Sequence, residues 1–500
     1  MELSNNIAFS VIFVTSFLFD ITSAGEPLFL SPLIKQGKIS QAQKLAEVSL
    51  PVHEDVLISE QEFPKSYSGF LTVNEEFGTN LFFWYFPAKN NSDTAPVLFW
   101  SDGGPGATLL HSFFNLHGPL KFNQDRKLVR RSDNATLFSE FNVIYLDNPA
   151  GVGFSFTGNE AGYAKSGKDT APNIYQFLLQ FFQLFPNLKK NDFYNGGASY
   201  GGTYATLIAH EIHTQNEKLA QDADERINLK GIMIDSPWIH PIDQVDYGTW
   251  LYNSGLISRK SKEHFDEKRD EIIAFLKQGK YLEAGKAWVS VAIMDIASHT
   301  GLPSFYDYVV DQDPENVALL LLNHNYTELV TSSAFRSSLH VGNDQEFFMF
   351  SPQTQGRMLG NFMRSVKEEL EELLETGKYR VLMIAGEFDL ITGSTGIQEV
   401  ALNLLWSGGD DFRSQDKQVW MDQNRYAGNI QSSKDGFLTY VLVRNAGHGV
   451  GINQPIKAVA LMKGFARGEI GGAFDDHSFP DLTYPVDDDQ HAANSLKEEL

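Results

Sequence analysis

FYNGGASYGGTYATLIAHEIHTQ, residues 193–215, is the stretch that decides the fold. It opens as a short apolar strand, Phe193–Asn195, turns through Gly197-Ala198-Ser199-Tyr200-Gly201, and enters an apolar-periodic helix, Thr203–Gln215. Small residues on both sides of the serine suit a sharp strand-to-helix turn, where a larger side chain would strike neighbouring backbone. Such a turn lifts the serine hydroxyl above the edge of a sheet. Taken alone, the same pattern also fits a tight connection with no chemistry.

Working outward, short apolar runs alternate with helical patterns. Val97–Trp100, Val143–Asp147, Ile232–Asp235, Val381–Ala385 and Thr439–Val443 read as buried strands, and Phe70–Val73 with Leu81–Phe86 as an N-terminal hairpin. Helices are expected over Asn173–Phe185, Thr203–Gln215 and Arg364–Thr376, the last closed by Gly377. This alternation implies an α/β chain with a mostly parallel sheet and helices on both faces. From about Val245 to Ser351 the rhythm breaks into a helix-rich stretch that reads as a cap inserted above the sheet.

A serine hydroxyl needs a base to take its proton and a carboxylate to orient that base. Asp389 follows the strand Val381–Ala385, and His448 follows Thr439–Val443. Serine, then Asp, then His is the chain order of α/β-hydrolases. Each residue separately fits an ordinary loop; the three in this order predict a triad of Ser199, Asp389 and His448. An oxyanion needs backbone N–H donors. Tyr200, just after the serine, supplies one. The glycine-rich loop Ser101–Gly106 (SDGGPG) after Val97–Trp100 supplies the other through Gly104. No Gly-Lys-Ser/Thr follows that loop, which argues against a nucleotide site.

The 500 residues carry 63 Asp+Glu against 40 Lys+Arg, a formal charge of −23, with no cysteine. That charge argues against nucleic acid or an anionic membrane as the main partner. The missing cysteines exclude disulfides, thiolate metal sites and a cysteine nucleophile, and fit a reducing compartment. The N-terminus points elsewhere: the apolar run Ile7–Phe19 followed by Thr22-Ser23-Ala24 has the form of a secretory signal peptide, although no basic residue precedes it. No second run is long enough to span a membrane. Sequons at Asn90, Asn134 and Asn325 are candidate glycosylation sites. The last four residues, KEEL, resemble an ER-retrieval signal that a receptor would read, or form an acidic, frayed tail. The expected organisation is a signal peptide over 1–24, core over 25–244, helical cap over 245–351, core again over 352–472, and an acidic tail over 473–500. Secretion, lysosomal delivery and ER retention all remain open.

His210-Glu211-Ile212-His213 lacks the HExxH spacing and a third ligand, so a polar helix stripe is expected there and no metal or cofactor site. Phe113-Phe114 and Phe181-Phe182 read as core or cleft lining, and Lys367–Glu375 as a solvated helix face.

Together these segments resemble the serine carboxypeptidase family, most of all its vitellogenic-like branch. The resemblance is carried by Pro27–Leu33 (PLFLSPL), Ser68–Val73 with Leu81–Pro87, Trp100–Gly106, His117–Pro119, Asp147–Thr157 (DNPAGVGFSFT), Gly197–Gly202 and the loops around Asp389 and His448. It implies an α/β-hydrolase fold with a helical insertion, and removal of C-terminal residues from peptides, usually best at acidic pH. It also implies that Ser199, Asp389 and His448 are the triad and that Gly104 and Tyr200 donate to the oxyanion. By the same resemblance, Asp102, Gly103 and Asn115 lie where the substrate's terminal carboxylate binds. The chain departs from the family there. Ala198 stands where the elbow usually has Glu, and Asn115 marks the segment that usually holds a second Glu. Asp102 replaces an amide, and Ala107-Thr108 replace Cys-Ser. An ionised Asp102 would repel a carboxylate, whereas a protonated one would donate to it. The competing readings are a serine esterase or acyltransferase using the same triad, or a non-catalytic binding protein on this scaffold.

Overall fold

The computed structural model describes residues 25–302, 304–309, 326–343, 346–422 and 425–470. The expected leader, Asn325 and the acidic tail with KEEL lie outside them. The strands are β1 (Tyr67–Asn74), β2 (Thr79–Phe86), β3 (Val97–Ser101), β4 (Leu120–Phe122), β5 (Leu128–Arg130), β6 (Asn142–Leu146), β7 (Phe193–Ala198), β8 (Leu229–Asp235), β9 (Arg380–Gly386), β10 (Gln418–Asp422), β11 (Arg425–Ser432) and β12 (Leu438–Val443). Ten of them form one sheet in the order β1-β2-β6-β3-β7-β8-β9-β12-β11-β10, and β4 pairs with β5 apart from it. The run from β6 to β12 is parallel, with antiparallel strands at both edges. This is the α/β-hydrolase architecture.

The sheet is buried on both faces because its strands are apolar at odd and even positions alike. In β2 all residues are buried: Leu81, Phe83 and Tyr85 pack on one side, and Phe82, Trp84 and Phe86 on the other. Val97 and Phe99 against Leu98 and Trp100 divide β3 in the same way. Burying each such aromatic or aliphatic side chain contributes about 1.5–3 kcal/mol.

Gly167–Leu184, the helix expected from Asn173, begins six residues earlier because Ser166 caps it, accepting from Asp169 N at 3.3 Å. Pro172 lies inside it and forfeits one backbone bond, while buried Thr170 and Ala171 anchor the turn. The elbow helix runs Tyr200–Lys218. Lys367–Glu375 is only half a solvated face, since Leu370, Leu373 and Leu374 are buried; Gly377, at φ +58°, follows its end. The β10–β11 hairpin has no counterpart in the sequence reading. It is an edge pair with Val419, Met421 and Tyr426 exposed, so little apolar alternation marks it.

Between β8 and β9 the chain leaves the sheet for the helices Tyr247–Asn253, Arg259–Lys277 and Tyr281–Val289, and further short turns. The helix Pro352–Phe362 packs with them: Phe362 lies 4.7 Å from Trp288, ring centre to centre. Phe348 and Phe350 bridge back to Gly153 and Ala107, tying this excursion to the loops at the strand ends.

Candidate active site

Ser199 sits directly after β7 with φ +58° and ψ −124°, a backbone conformation that costs about 1–3 kcal/mol for a non-glycine residue. Its N–H donates to Asp235 O at 2.9 Å, and its carbonyl accepts from Gly202 N at 2.9 Å and Trp238 N at 3.0 Å. The flanking glycines are required by space. A Cβ on Gly197 would lie 2.3 Å from Gly201 O, and one on Gly201 would lie 2.4 Å from Ser101 O.

Asp389 and His448 come together at the ends of β9 and β12, which are adjacent in the sheet. Asp389 is fully buried and lies 2.8 Å, Oδ2 to Nδ1, from His448. Its carboxylate also accepts from Ile391 N at 2.8 Å, Thr392 N at 3.1 Å and Thr392 Oγ1 at 2.5 Å. The imidazole is held from the excursion side, where His448 N donates to Tyr306 O at 2.6 Å and the Tyr306 ring packs edge-on at 5.1 Å. Asp235, at the end of β8, accepts from Val450 N at 2.9 Å, and Ser236 Oγ accepts from Gly449 N at 3.3 Å, so the turn after His448 is anchored too. Burial pushes the Asp235 carboxyl up to about 6. Ser199 and His448 line one cleft of about 970 Å³. Among the described residues no hydrogen bond joins the Ser199 hydroxyl to His448; such contacts often tighten only when substrate is bound.

The loop after β3 lies against the elbow. A Cβ on Gly103 would fall 2.5 Å from Ala198 O and 2.8 Å from Tyr200 N. Gly104, at φ +106°, lines the cleft, and Tyr200 N–H belongs to the first turn of the elbow helix, where N–H groups have no intrahelical acceptor. The loop is fixed by Asp147, which sequence reasoning did not single out, although it opens DNPAGVGFSFT. Its carboxylate accepts from Thr108 Oγ1 at 2.7 Å and from Leu109 N and Phe154 N at 2.8 Å. Burial pushes Asp147 up to about 7. Gly153 is glycine because a Cβ there would lie 2.0 Å from the Asp147 carboxylate.

At the other end of the cleft Asp102 is buried. It accepts from Ser112 Oγ at 2.6 Å and lies 3.2 Å from His111 Nδ1. Burial raises its pKa, against the opposing effect of the His111 contact. Ala198, Gly103 and Leu116 line the cleft close to the triad: a Cβ on Gly103 would lie 2.9 Å from Ser199 Cβ, and one on Gly449 3.1 Å from Leu116 Cδ2. Asn115 is half-buried, and the adjacent Leu116 lines the cleft. Both residues lie on a π-helical turn over Phe113–His117. Buried Arg131 fixes that turn by donating to Phe114 O at 2.5 Å and Gly118 O at 2.9 Å.

The remaining candidates lie elsewhere. Asn90 is exposed and Asn134 half-buried on one surface groove away from the cleft. His210 meets Glu372 at 2.6 Å and His213 meets Tyr379 at 3.0 Å, so the stripe joins two helices and a loop. Among the described residues no helix is long and apolar enough to cross a membrane.

A family model described as serine carboxypeptidase matches residues 58–468. The chain is 36% identical over 451 residues to the venom serine carboxypeptidase of Apis mellifera, covering 89% of this chain and 91% of that one. It is 31% identical over 453 residues to the vitellogenic carboxypeptidase of Aedes aegypti, covering 89% and 90%. The prohormone-processing carboxypeptidase Kex1Δp of Saccharomyces cerevisiae has a similar structure, with TM-score 0.74 and 19% identity over 85% of this chain and 96% of that one.

Proposed function

The chain belongs to the serine carboxypeptidase family, and from that premise we propose that it releases C-terminal residues from peptides through an acyl-enzyme formed on Ser199. The observation that carries this is the Asp389–His448 hydrogen bond at 2.8 Å in the cleft that Ser199 lines. His448 takes the Ser199 proton as the hydroxyl attacks the scissile carbonyl, then gives it to the departing amine. Asp389 stays ionised and holds the imidazole with its Nδ1 proton inward. The backbone N–H groups of Gly104 and Tyr200 receive the negative charge on the tetrahedral oxygen. Water then enters, His448 deprotonates it, and the acyl group leaves Ser199. No cofactor is needed for these steps.

The apolar Ala198 and Leu116 in the cleft lining favour a second reading, an esterase or acyltransferase in which no terminal carboxylate is bound. The leader and the sequons at Asn90 and Asn134 support a protein of the secretory pathway, against the missing cysteines; KEEL would return it to the ER. Two experiments test the activity. A fluorophosphonate probe should label the wild-type chain and not Ser199→Ala. At pH about 5, peptides with free C-termini should be cleaved and their C-terminal amides spared. Equal cleavage of both would remove the carboxypeptidase reading, and absence of labelling would remove the enzyme reading.

A further inference from the structure

A carboxypeptidase has to hold a carboxylate close to its nucleophile, and a carboxylate is best held by a fixed, charge-assisted donor. Among the described residues, the lining of this cleft includes neither Lys nor Arg. Its acidic members are Asp102, whose pKa burial raises, and Asp307, and neither supplies a positive charge. Most of the other polar side chains are already engaged. Asn453 Nδ2 donates to Asp307 at 2.8 Å and its Oδ1 accepts from Gly447 N at 2.9 Å. Thr392 is bound to Asp389, Trp288 Nε1 donates to Tyr247 OH at 2.7 Å, and Trp238 Nε1 donates to Phe362 O at 3.1 Å. His448 is committed to Asp389. What remains is the neutral phenol of Tyr306, packed on His448, and the imidazole of His111.

We propose that His111, held by Asp102 in the cleft that Ser199 lines, receives the free carboxylate of the peptide's C-terminus. This rests on the peptidase reading above and names the residue that gives it its specificity. Three features support it. His111 lines the cleft that Ser199 lines, with its side chain 21% exposed. Its Nδ1 faces Asp102 Oδ1 at 3.2 Å, and Asp102 is clamped by Ser112, so the ring is oriented and Nε2 is the free end. Apolar Leu116 and Ala198 line the same cleft, and Phe350 lies 6.2 Å from the imidazole, so a charged bond made there is shielded from water. The charged and titratable groups around His111 are Asp102 itself, Asp147, Tyr145 and Tyr326 behind Asp102, and Asp307 and His448 across the cleft.

The test uses the full chain carrying Ser199→Ala, so that binding is read without turnover. An N-acylated dipeptide and its C-terminal amide are titrated calorimetrically at pH about 5, where imidazoles as a class are cationic. The free acid should bind at least about tenfold tighter than the amide. Adding His111→Gln, which leaves Asp102 a hydrogen-bonding neighbour, should bring that ratio to about one, with the amide's affinity unchanged. Adding Tyr306→Phe should leave the ratio intact. Equal affinity for acid and amide in the parent, or a ratio that survives His111→Gln, overturns the assignment; a ratio lost in Tyr306→Phe transfers it to the phenol. Fluorophosphonate labelling of the unmutated protein is scored separately. Labelling without acid preference leaves a hydrolase and removes His111, whereas acid preference without labelling removes the peptidase and keeps His111 as the carboxylate site.

Discussion

At the inner end of the cleft, Asp389 takes bonds from Ile391 N, both donors of Thr392 and His448, and the turn after His448 is pinned by Asp235, Ser236 and Tyr306. At the outer end, Asp102 has His111 and Ser112, and the surrounding wall is Ala198 and Leu116, where the family's pattern places glutamates. The inner end is held by backbone N–H groups of several strand ends, which do not depend on side-chain identity. Asp102 takes one backbone bond, from Ser112 N at 3.4 Å, and otherwise meets side chains. Substitution can therefore rewrite the outer end without disturbing the inner one, and the departures from the family collect there.

The sharpest way to break this contrast is at the inner end. Ser199→Ala should lower kcat by about a millionfold, and adding His448→Ala should cost little more, because the groups act as a unit. Asp389→Asn should lower kcat by about ten-thousandfold, since an amide at that position favours the wrong imidazole tautomer. Steady-state hydrolysis of an ester substrate measures both. If His111→Gln lowered ester turnover on that scale, the two ends would be one machine and the contrast would fail.

Much of the inner end was legible in the sequence because its chemistry is local. Glycines around Ser199 announce a turn, and Asp389 and His448 each follow an apolar run that can only be a buried strand. The sheet's centre was legible for the same reason. The β10–β11 hairpin was not, since exposed Val419, Met421 and Tyr426 give no period. Neither were Asp147, Asp235 or His111, whose importance arises from neighbours distant in the chain: Asp147 reaches Leu109, and Asp235 reaches Val450. No local pattern carries such pairings.

Smaller effects come from two buried groups beneath the loops, and their signs are opposite. Asp147 is raised from 3.8 to about 7, so the folded chain holds a proton there that the unfolded chain releases near pH 4. The contribution of its protonated form is complete below the unfolded value and is lost as pH rises through about 7. His117 is lowered from 6.5 to about 3 by burial, so the unfolded chain binds a proton that the folded one refuses. Its contribution is present above 6.5 and is lost as pH falls toward about 3. Melting curves at pH about 5 and 7.5 separate them as differences from wild type. The advantage over Asp147→Asn should grow by about 2–3 kcal/mol at the lower pH, and that over His117→Gln should shrink by about 2 kcal/mol. Slopes of the same sign would mean that burial does not govern these groups.

The smallest expected effect sharpens the outer end to a single residue. On the π-helical turn over Phe113–His117 Leu116 lines the cleft and Asn115 is half-buried, with Arg131 bonded to the carbonyls of Phe114 and Gly118 to keep that register. An ordinary α-turn over the same residues would rotate a different side chain inward. Asn115→Ala should therefore leave KM within about twofold whatever it does to the melting temperature. Leu116→Ala removes cleft wall beside the proposed carboxylate site and should raise KM for peptides several-fold more than Asn115→Ala does. Measured KM values that rank the other way would place Asn115 against the substrate. In that case the turn would have to unwind when substrate binds, and the outer end would be shaped by the ligand instead of being set in advance by Arg131.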